Sequence, residues 1–180
     1  MITTTLERIH RYVLSAEDWA KLMSHLGKTK VDREPLSYAV LAENINLDTV
    51  LLCCTAEPQY EKEWRLLAVR YARRVQHMMD DPRSIHALDV AEAYANGNAS
   101  DEELDDARAA AQAAVDEAPR ADARAAAEEA AGIYSAAAIW YAARAAARAA
   151  SWNATGTYTA ADAYAAERAA QKEEFLNVVR

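Results

Sequence analysis

Alanine constrains the fold of this chain more than any other feature. The 180 residues contain 44 alanines, of which 32 lie in residues 101–180 and only 12 in residues 1–100. Alanine favours the α-helix more strongly than any other residue, whereas β-sheets need runs of β-branched and aromatic residues between turns. No such run follows Pro119, and the one candidate strand is Thr49 to Cys54. The sequence therefore predicts an all-α protein.

Capping residues and helix breakers divide the chain into helices. Ser100 to Glu103 has the pattern of a capping box, and so do Ser15 with Asp18 and Thr159 with Asp162. Residues 48–54 fit either a short helix or a buried strand. The predicted helices are Thr3 to Tyr12, Ala16 to Leu26, Ser37 to Glu43, Asp48 to Cys54, the segment from Glu57 through Met78, one from Pro82 to Asn96, Asp101 to Glu117, Arg120 to Ser151 and Ala160 to Val178.

These helices predict a single all-α domain that spans residues 1–180. We expect about six to eight helices from these nine candidate segments, and their short loops indicate a bundle of mostly antiparallel neighbours. Residues 1–100 form its conventional helical part, and residues 101–180 form an alanine-rich part packed on it. We expect that second part to contain a long C-terminal helical hairpin, broken at Asn153 to Gly156.

Charge and hydropathy indicate where the protein works. The net charge is −8, which argues against binding to nucleic acid or to an anionic membrane. Charged residues interrupt every apolar stretch before it reaches about 18 residues, and the N-terminus lacks the pattern of a signal peptide. We therefore expect a cytoplasmic protein without a membrane-spanning segment.

The sequence contains no recognisable catalytic or cofactor site. The two cysteines, Cys53 and Cys54, are adjacent in an apolar run, which favours a reduced, buried and unreactive pair. The four glycines are too scattered for a phosphate-binding loop, and no histidine has the helical partner that a zinc site requires. We expect neither enzymatic activity nor a metal or cofactor. The histidines are His10, His25, His77 and His86.

Acidic residues supply the main candidate for a binding site. Residues 101–129 hold ten acids against three arginines, and such a negative stripe can attract a basic protein or imitate phosphates. The alternative is a solvated helix face with acids at its N-terminus. A smaller basic cluster is a candidate partner for this acidic surface within the chain, and it lies off the helix face that carries the large residues. Its members are Arg65, Arg70, Arg73 and Arg74. The acids are Asp101, Glu102, Glu103, Asp105, Asp106, Asp116, Glu117, Asp122, Glu128 and Glu129.

Aromatic residues are the second candidate. Tyr60, Trp64 and Tyr71 recur at helical spacing, which favours a place in the core. Trp152 and Tyr158 flank the predicted break instead, and they are the best candidates for exposed anchors of a partner.

Four consecutive elements in residues 64–110 resemble a known family. They are Arg65 to Val75, the turn Asp81-Pro82-Arg83, the helix Ala87 to Gly97 and the acidic start Ser100 to Leu104, all followed by an alanine-rich tail. The order is similar to that of the alanine-rich, all-α immunity proteins that accompany bacterial polymorphic toxins and also occur in phage genomes. The resemblance implies a protein that binds and blocks another protein without a cofactor.

We therefore expect a non-enzymatic inhibitor of the immunity type, whose partner is a toxin. One alternative is a phage anti-defence inhibitor that blocks a host defence effector, such as a CRISPR or restriction complex, by mimicking DNA. The other is a structural helical protein, because faces of small residues also favour a homodimer.

Overall fold

A computed structural model describes residues 1–12, 16–117, 142–144, 146–148 and 159–180. It confirms the all-α class, since the described residues form helices and one pair of two-residue strands. The strands are β1 (Thr3–Thr4) and β2 (Leu36–Ser37). The α-helices are α1 (Leu6–Ile9), α2 (Ala16–Leu26), α3 (Tyr38–Asn44), α4 (Leu47–Cys53), α5 (Glu61–Arg73), α6 (Pro82–Ala95), α7 (Asp101–Glu117) and α8 (Ala160–Val179). Short 3-10 helices lie at Cys54–Ala56, Pro58–Tyr60 and Gln76–Met78.

The chain divides into two compact units. The first contains residues 1–59 and 172–180, and the second contains residues 60–171. The single domain of residues 1–180, with its conventional and alanine-rich parts, stays a prediction. None of the helices in the described residues is long and apolar enough to cross a membrane.

The first unit is built around large buried side chains. Tyr38 and Phe175 are fully buried, and their rings meet edge to face with centroids 6.2 Å apart. The N-terminal segment joins this core through β1, which pairs antiparallel with β2, and through a hydrogen bond from the Ile2 amide to the Val179 carbonyl at 2.9 Å. This pairing keeps Thr3 and Thr4 extended, so Thr5 is the one of the three threonines predicted as caps that caps α1. The helix ends at Ile9, before the predicted end at Tyr12.

Residues 48–54 belong to a helix and its end, so the alternative of a buried strand is wrong. The Asn46 side chain caps α4 by accepting a hydrogen bond from the Asp48 amide at 2.7 Å. A capped start outweighs the weak strand propensity of a short apolar run. Val50, Leu51 and Cys53 are fully buried.

The second unit begins with α5, which buries Trp64, Leu67 and Tyr71 as the spacing predicts. The Tyr71 hydroxyl donates to the Gln171 carbonyl at 2.9 Å, and the Gln171 side-chain amide donates to the Ala143 carbonyl at the same distance. These bonds connect α5, α8 and helical residues 142–144. Most of the predicted helix Arg120 to Ser151, including the Pro119 boundary, and the break at Asn153 to Gly156 lie outside the described residues.

Candidate functional site

The hairpin of α6 and α7 carries most of the predicted binding residues, and local sequence determines its shape. Asp81 caps α6 by accepting from the Arg83 amide at 2.8 Å, with Pro82 in the first turn. Gly97 ends α6 with a φ of +76°, a conformation that favours glycine. Ser100 and Glu103 then form the predicted capping box. Both helices therefore begin where the sequence indicates, and α6 also ends there.

Two polar contacts hold the helices of this hairpin together. Arg83, at the start of α6, pairs with Glu117 at the end of α7 at 2.6 Å. At the opposite end, the Tyr94 hydroxyl donates to the Asp101 carboxylate at 2.7 Å. Since each end of one helix meets the opposite end of the other, the two run antiparallel.

Helix α7 has one alanine-rich face in the core and one acidic face in solvent. The apolar face is buried, with its residues between 0% and 7% exposed; they are Leu104, Ala107, Ala111, Ala114 and Val115. All seven predicted acids of this helix are exposed; they are Asp101, Glu102, Glu103, Asp105, Asp106, Asp116 and Glu117. The helix therefore presents its carboxylates on a surface that packing leaves open.

Part of this acidic face stabilises the hairpin itself. Besides the contacts of Asp101 and Glu117, Glu103 accepts from the Ser100 amide at 2.7 Å and from its hydroxyl at 3.0 Å. The Ser100 amide and hydroxyl hold the pKa of Glu103 below its usual value. Asp116 accepts a long hydrogen bond from Gln112 at 3.4 Å. These four carboxylates have structural partners.

The other three carboxylates of α7 have no such partners. Glu102, Asp105 and Asp106 make no hydrogen bond or ion pair with any residue that the structure describes. Helical spacing places them on neighbouring turns, where side chains three and four residues apart lie roughly 5–6 Å from each other. They form the part of the acidic face that is available to a partner, and we call them the open triad.

An open groove of about 580 Å³ lies between α6 and α7. Its floor consists of small apolar residues, and its two rims carry carboxylates from both helices. The loop between the helices closes one end at Asn98 and Ala99. The floor and rim residues are Val90, Ala93, Ala107 and Ala110, with Asp89, Glu103 and Asp106. Sequence periodicity missed this groove because its walls, apart from Ala107, lie off the buried faces of both helices.

Two arginines of the predicted basic cluster on α5, Arg73 and Arg74, pair with carboxylates of α6 and α8. Arg73 binds Asp89 at 2.8 Å and Glu92 at 2.7 Å, and Arg74 binds Glu167 of α8 at 2.6 Å. The expectation that Arg65 lies off the buried face of α5 is wrong, because it is only 6% exposed. Its guanidinium lies over the Tyr94 ring, 4.9 Å from the centroid, so that stacking replaces hydration.

A buried carboxylate in the first unit escaped the sequence analysis. Glu57 is fully buried and accepts from the Thr4 hydroxyl at 2.6 Å and from the Gln59 side-chain amide at 2.6 Å. Arg8 pairs with it at 2.7 Å. The cluster satisfies the carboxylate from three directions and connects β1 and α1 to the turn after α4. No periodic signal marks Glu57, since its partners come from distant parts of the sequence.

The two cysteine thiols are buried and difficult to ionise. Cys53 and Cys54 are both buried as free thiols, and desolvation raises the pKa of Cys53 to about 12 and that of Cys54 well above its usual value. Within the ranges that the structure covers, no group of three or more histidine, cysteine or acidic side chains is placed to hold a metal ion.

The remaining predicted site residues lie outside the described residues. They are Trp152 and Tyr158, together with the acids Asp122, Glu128 and Glu129. Their roles stay predictions.

Comparison with known proteins found no relative of this chain. No protein-family model, no curated protein and no solved structure matches the chain.

Proposed function

We propose that this chain is a non-enzymatic, cytoplasmic inhibitor of the immunity type, which binds and blocks a basic surface of another protein through α7. One observation carries the proposal. The open triad of Glu102, Asp105 and Asp106 is exposed and unpaired within the described residues, on a helix held at both ends. Ionised groups that the fold does not use are free to bind a partner's cations.

The way in which α7 is held supports binding rather than a solvated surface alone. Its capping box and its contacts with α6 fix the backbone before any partner arrives. A pre-ordered surface loses less conformational entropy on association than a flexible one. The negative charges also accelerate encounter with a basic surface, an effect that salt suppresses.

The experiment that tests the proposal compares two variants of equal charge. The triad variant carries Glu102→Gln, Asp105→Asn and Asp106→Asn. The control variant carries Glu17→Gln, Glu63→Gln and Glu173→Gln, which removes three charges from other helices. Each protein is immobilised, host lysate is passed over it, and retained proteins are quantified by mass spectrometry.

We expect the wild type and the control to retain one protein in similar amounts. The amount of that protein retained by the triad variant should be lower by about tenfold or more. Its activity is then assayed with each form of the chain, and only the wild type and the control should inhibit it. Equal retention on the triad variant, or retention without inhibition, would contradict the proposal.

Duplex DNA in the same experiment separates toxin immunity from DNA mimicry. If the chain imitates phosphates, added duplex releases the captured protein, because both ligands compete for one nucleic-acid-binding surface. If the partner is a toxin that is blocked elsewhere, duplex has no effect. Light scattering tests the homodimer at the same time, since a structural assembly protein would have twice the monomer mass of 19.8 kDa.

A further inference from the structure

The groove between α6 and α7 has the shape and charge of a docking site for a helix. On each helix its walls recur at three and four residues: His86, Asp89, Val90 and Ala93 on α6, then Glu103, Asp106, Ala107 and Ala110 on α7. Seven helical residues span roughly 10 Å, so the groove extends for about two turns. Its alanines leave room for close approach of another backbone.

The two rims of the groove differ in the charge they offer. On the α6 rim, Asp89 is already bound by Arg73 at 2.8 Å. On the α7 rim, Glu103 keeps one carboxylate oxygen outside its bonds to Ser100, and Asp106 has no partner among the described residues. The uncompensated negative charge therefore lies on the α7 side, and the apolar wall of Val90 and Ala93 lies on the α6 side.

We propose that this groove binds an amphipathic basic helix of the partner protein. Lysine or arginine side chains spaced three or four residues apart face Glu103 and Asp106, and small apolar side chains face Val90 and Ala93. The inference rests on the proposed function, because it assigns the chemistry of the surface that the inhibited protein presents. It adds that Asp106 lies inside the binding groove, whereas Asp105 lies outside it.

A synthetic peptide tests the groove without the natural partner. The probe is a fluorescent, alanine-based helix of about 15 residues, with lysines along one side. The comparison peptide has the same composition but lysines all around the helix. The fluorescence anisotropy of each peptide is measured as the full chain is added. We expect the peptide with lysines along one side to bind about tenfold more tightly than the comparison peptide.

Two pairs of neighbouring substitutions locate the binding. Ala110→Phe fills the groove, whereas Ala109→Phe places the same ring on the exposed side of α7. We expect Ala110→Phe to weaken peptide binding about tenfold and Ala109→Phe to change it less than about twofold. Asp106→Asn should weaken peptide binding more than Asp105→Asn does. If thermal melts show that Ala110→Phe disturbs folding, this second pair still tests the groove.

Several results would overturn the inference. They are equal affinity for both peptides, no saturable binding, or equal effects within each pair of substitutions. A dimer that Ala110→Phe dissociates would assign the groove to a second copy of the chain. The two proposals fail separately: loss of peptide selectivity removes the groove, whereas unchanged capture by the triad variant removes the acidic face.

Discussion

Helices α5 and α7 belong to the same unit but bury their inner faces in opposite ways. Helix α5 inserts Trp64, Leu67 and Tyr71, all at most 1% exposed. Helix α7 buries mainly alanines, among them Ala107, Ala111 and Ala114. Large side chains remove more apolar area from water, whereas alanines stabilise a helix through close contact of backbones. We therefore expect the stability of α5 to be sensitive to truncation of its buried side chains, and that of α7 to enlargement of its buried side chains.

Truncation in α5 should give the largest effect. Trp64→Ala is expected to lower the free energy of unfolding by about 3–5 kcal/mol, because it leaves a cavity where a fully enclosed indole was. Urea denaturation followed by circular dichroism measures the change. Trp64→Phe, which keeps most of the ring volume, should cost clearly less; equal losses for the two would contradict a packing role.

Enlargement in α7 should be the next largest effect. Ala111 is 0% exposed, and Ala111→Leu is expected to cost about 1–3 kcal/mol through overpacking. The matched control is Ala109→Leu, two residues away on the exposed side, which should change stability by less than about 0.5 kcal/mol. If Ala111→Leu stabilises the protein, the alanine face is not close-packed and the comparison with α5 fails.

Removal of the α7 cap should have a smaller effect. Ser100→Ala takes away the acceptor for the Glu103 amide, 3.2 Å away, and is expected to cost about 1 kcal/mol. Thr159→Ala should behave alike, since the Thr159 hydroxyl accepts from the Asp162 amide at 3.1 Å at the start of α8. Thermal melts compare both with Ser24→Ala, an exposed serine within α2. A loss as large for Ser24→Ala would argue against capping.

Acidic pH should produce the smallest effect. The pKa of Glu103 in the folded state lies below its ordinary value of 4.5, so its ionised form stabilises the fold above that value. This contribution is lost as pH falls through the folded pKa. The melting temperature of the wild type should exceed that of Glu103→Gln at pH 7, and the gap should close in acid. Glu102→Gln, without a bond to Ser100, should show less pH dependence; an unchanging gap for Glu103→Gln would refute the role.

Local signals predicted much of the fold. The end of α2 and the start of α7 agree with the prediction, because their signals act within a few positions: Gly27, with a φ of +62°, follows α2, and the capping box of Ser100 and Glu103 opens α7. The acids of α7 were also predicted correctly as an exposed set. Their division into structural carboxylates and an open triad was not, since it depends on Tyr94 and Arg83 of another helix.

Long-range contacts account for what the sequence did not reveal. Glu57 is buried only because Thr4 and Arg8 reach it from residues more than 40 positions away. Arg65 is buried because the ring of Tyr94 covers it. An arginine or glutamate has no intrinsic preference for the core, so neither position could be assigned before the partners were known. The groove depends likewise on how α6 and α7 approach each other.

The first unit is formed by two segments that lie far apart in the sequence, and this affects its folding during synthesis on the ribosome. Residues 172–180, which complete this unit, are translated after the whole of the second unit. At roughly 5–20 residues per second, Phe175 is synthesised on the order of ten seconds after the residues of the first segment that surround Tyr38. During that interval the nascent chain exposes the apolar surface that Phe175 later covers. All residues of the second unit are translated before the first unit is complete, so the second unit can fold first.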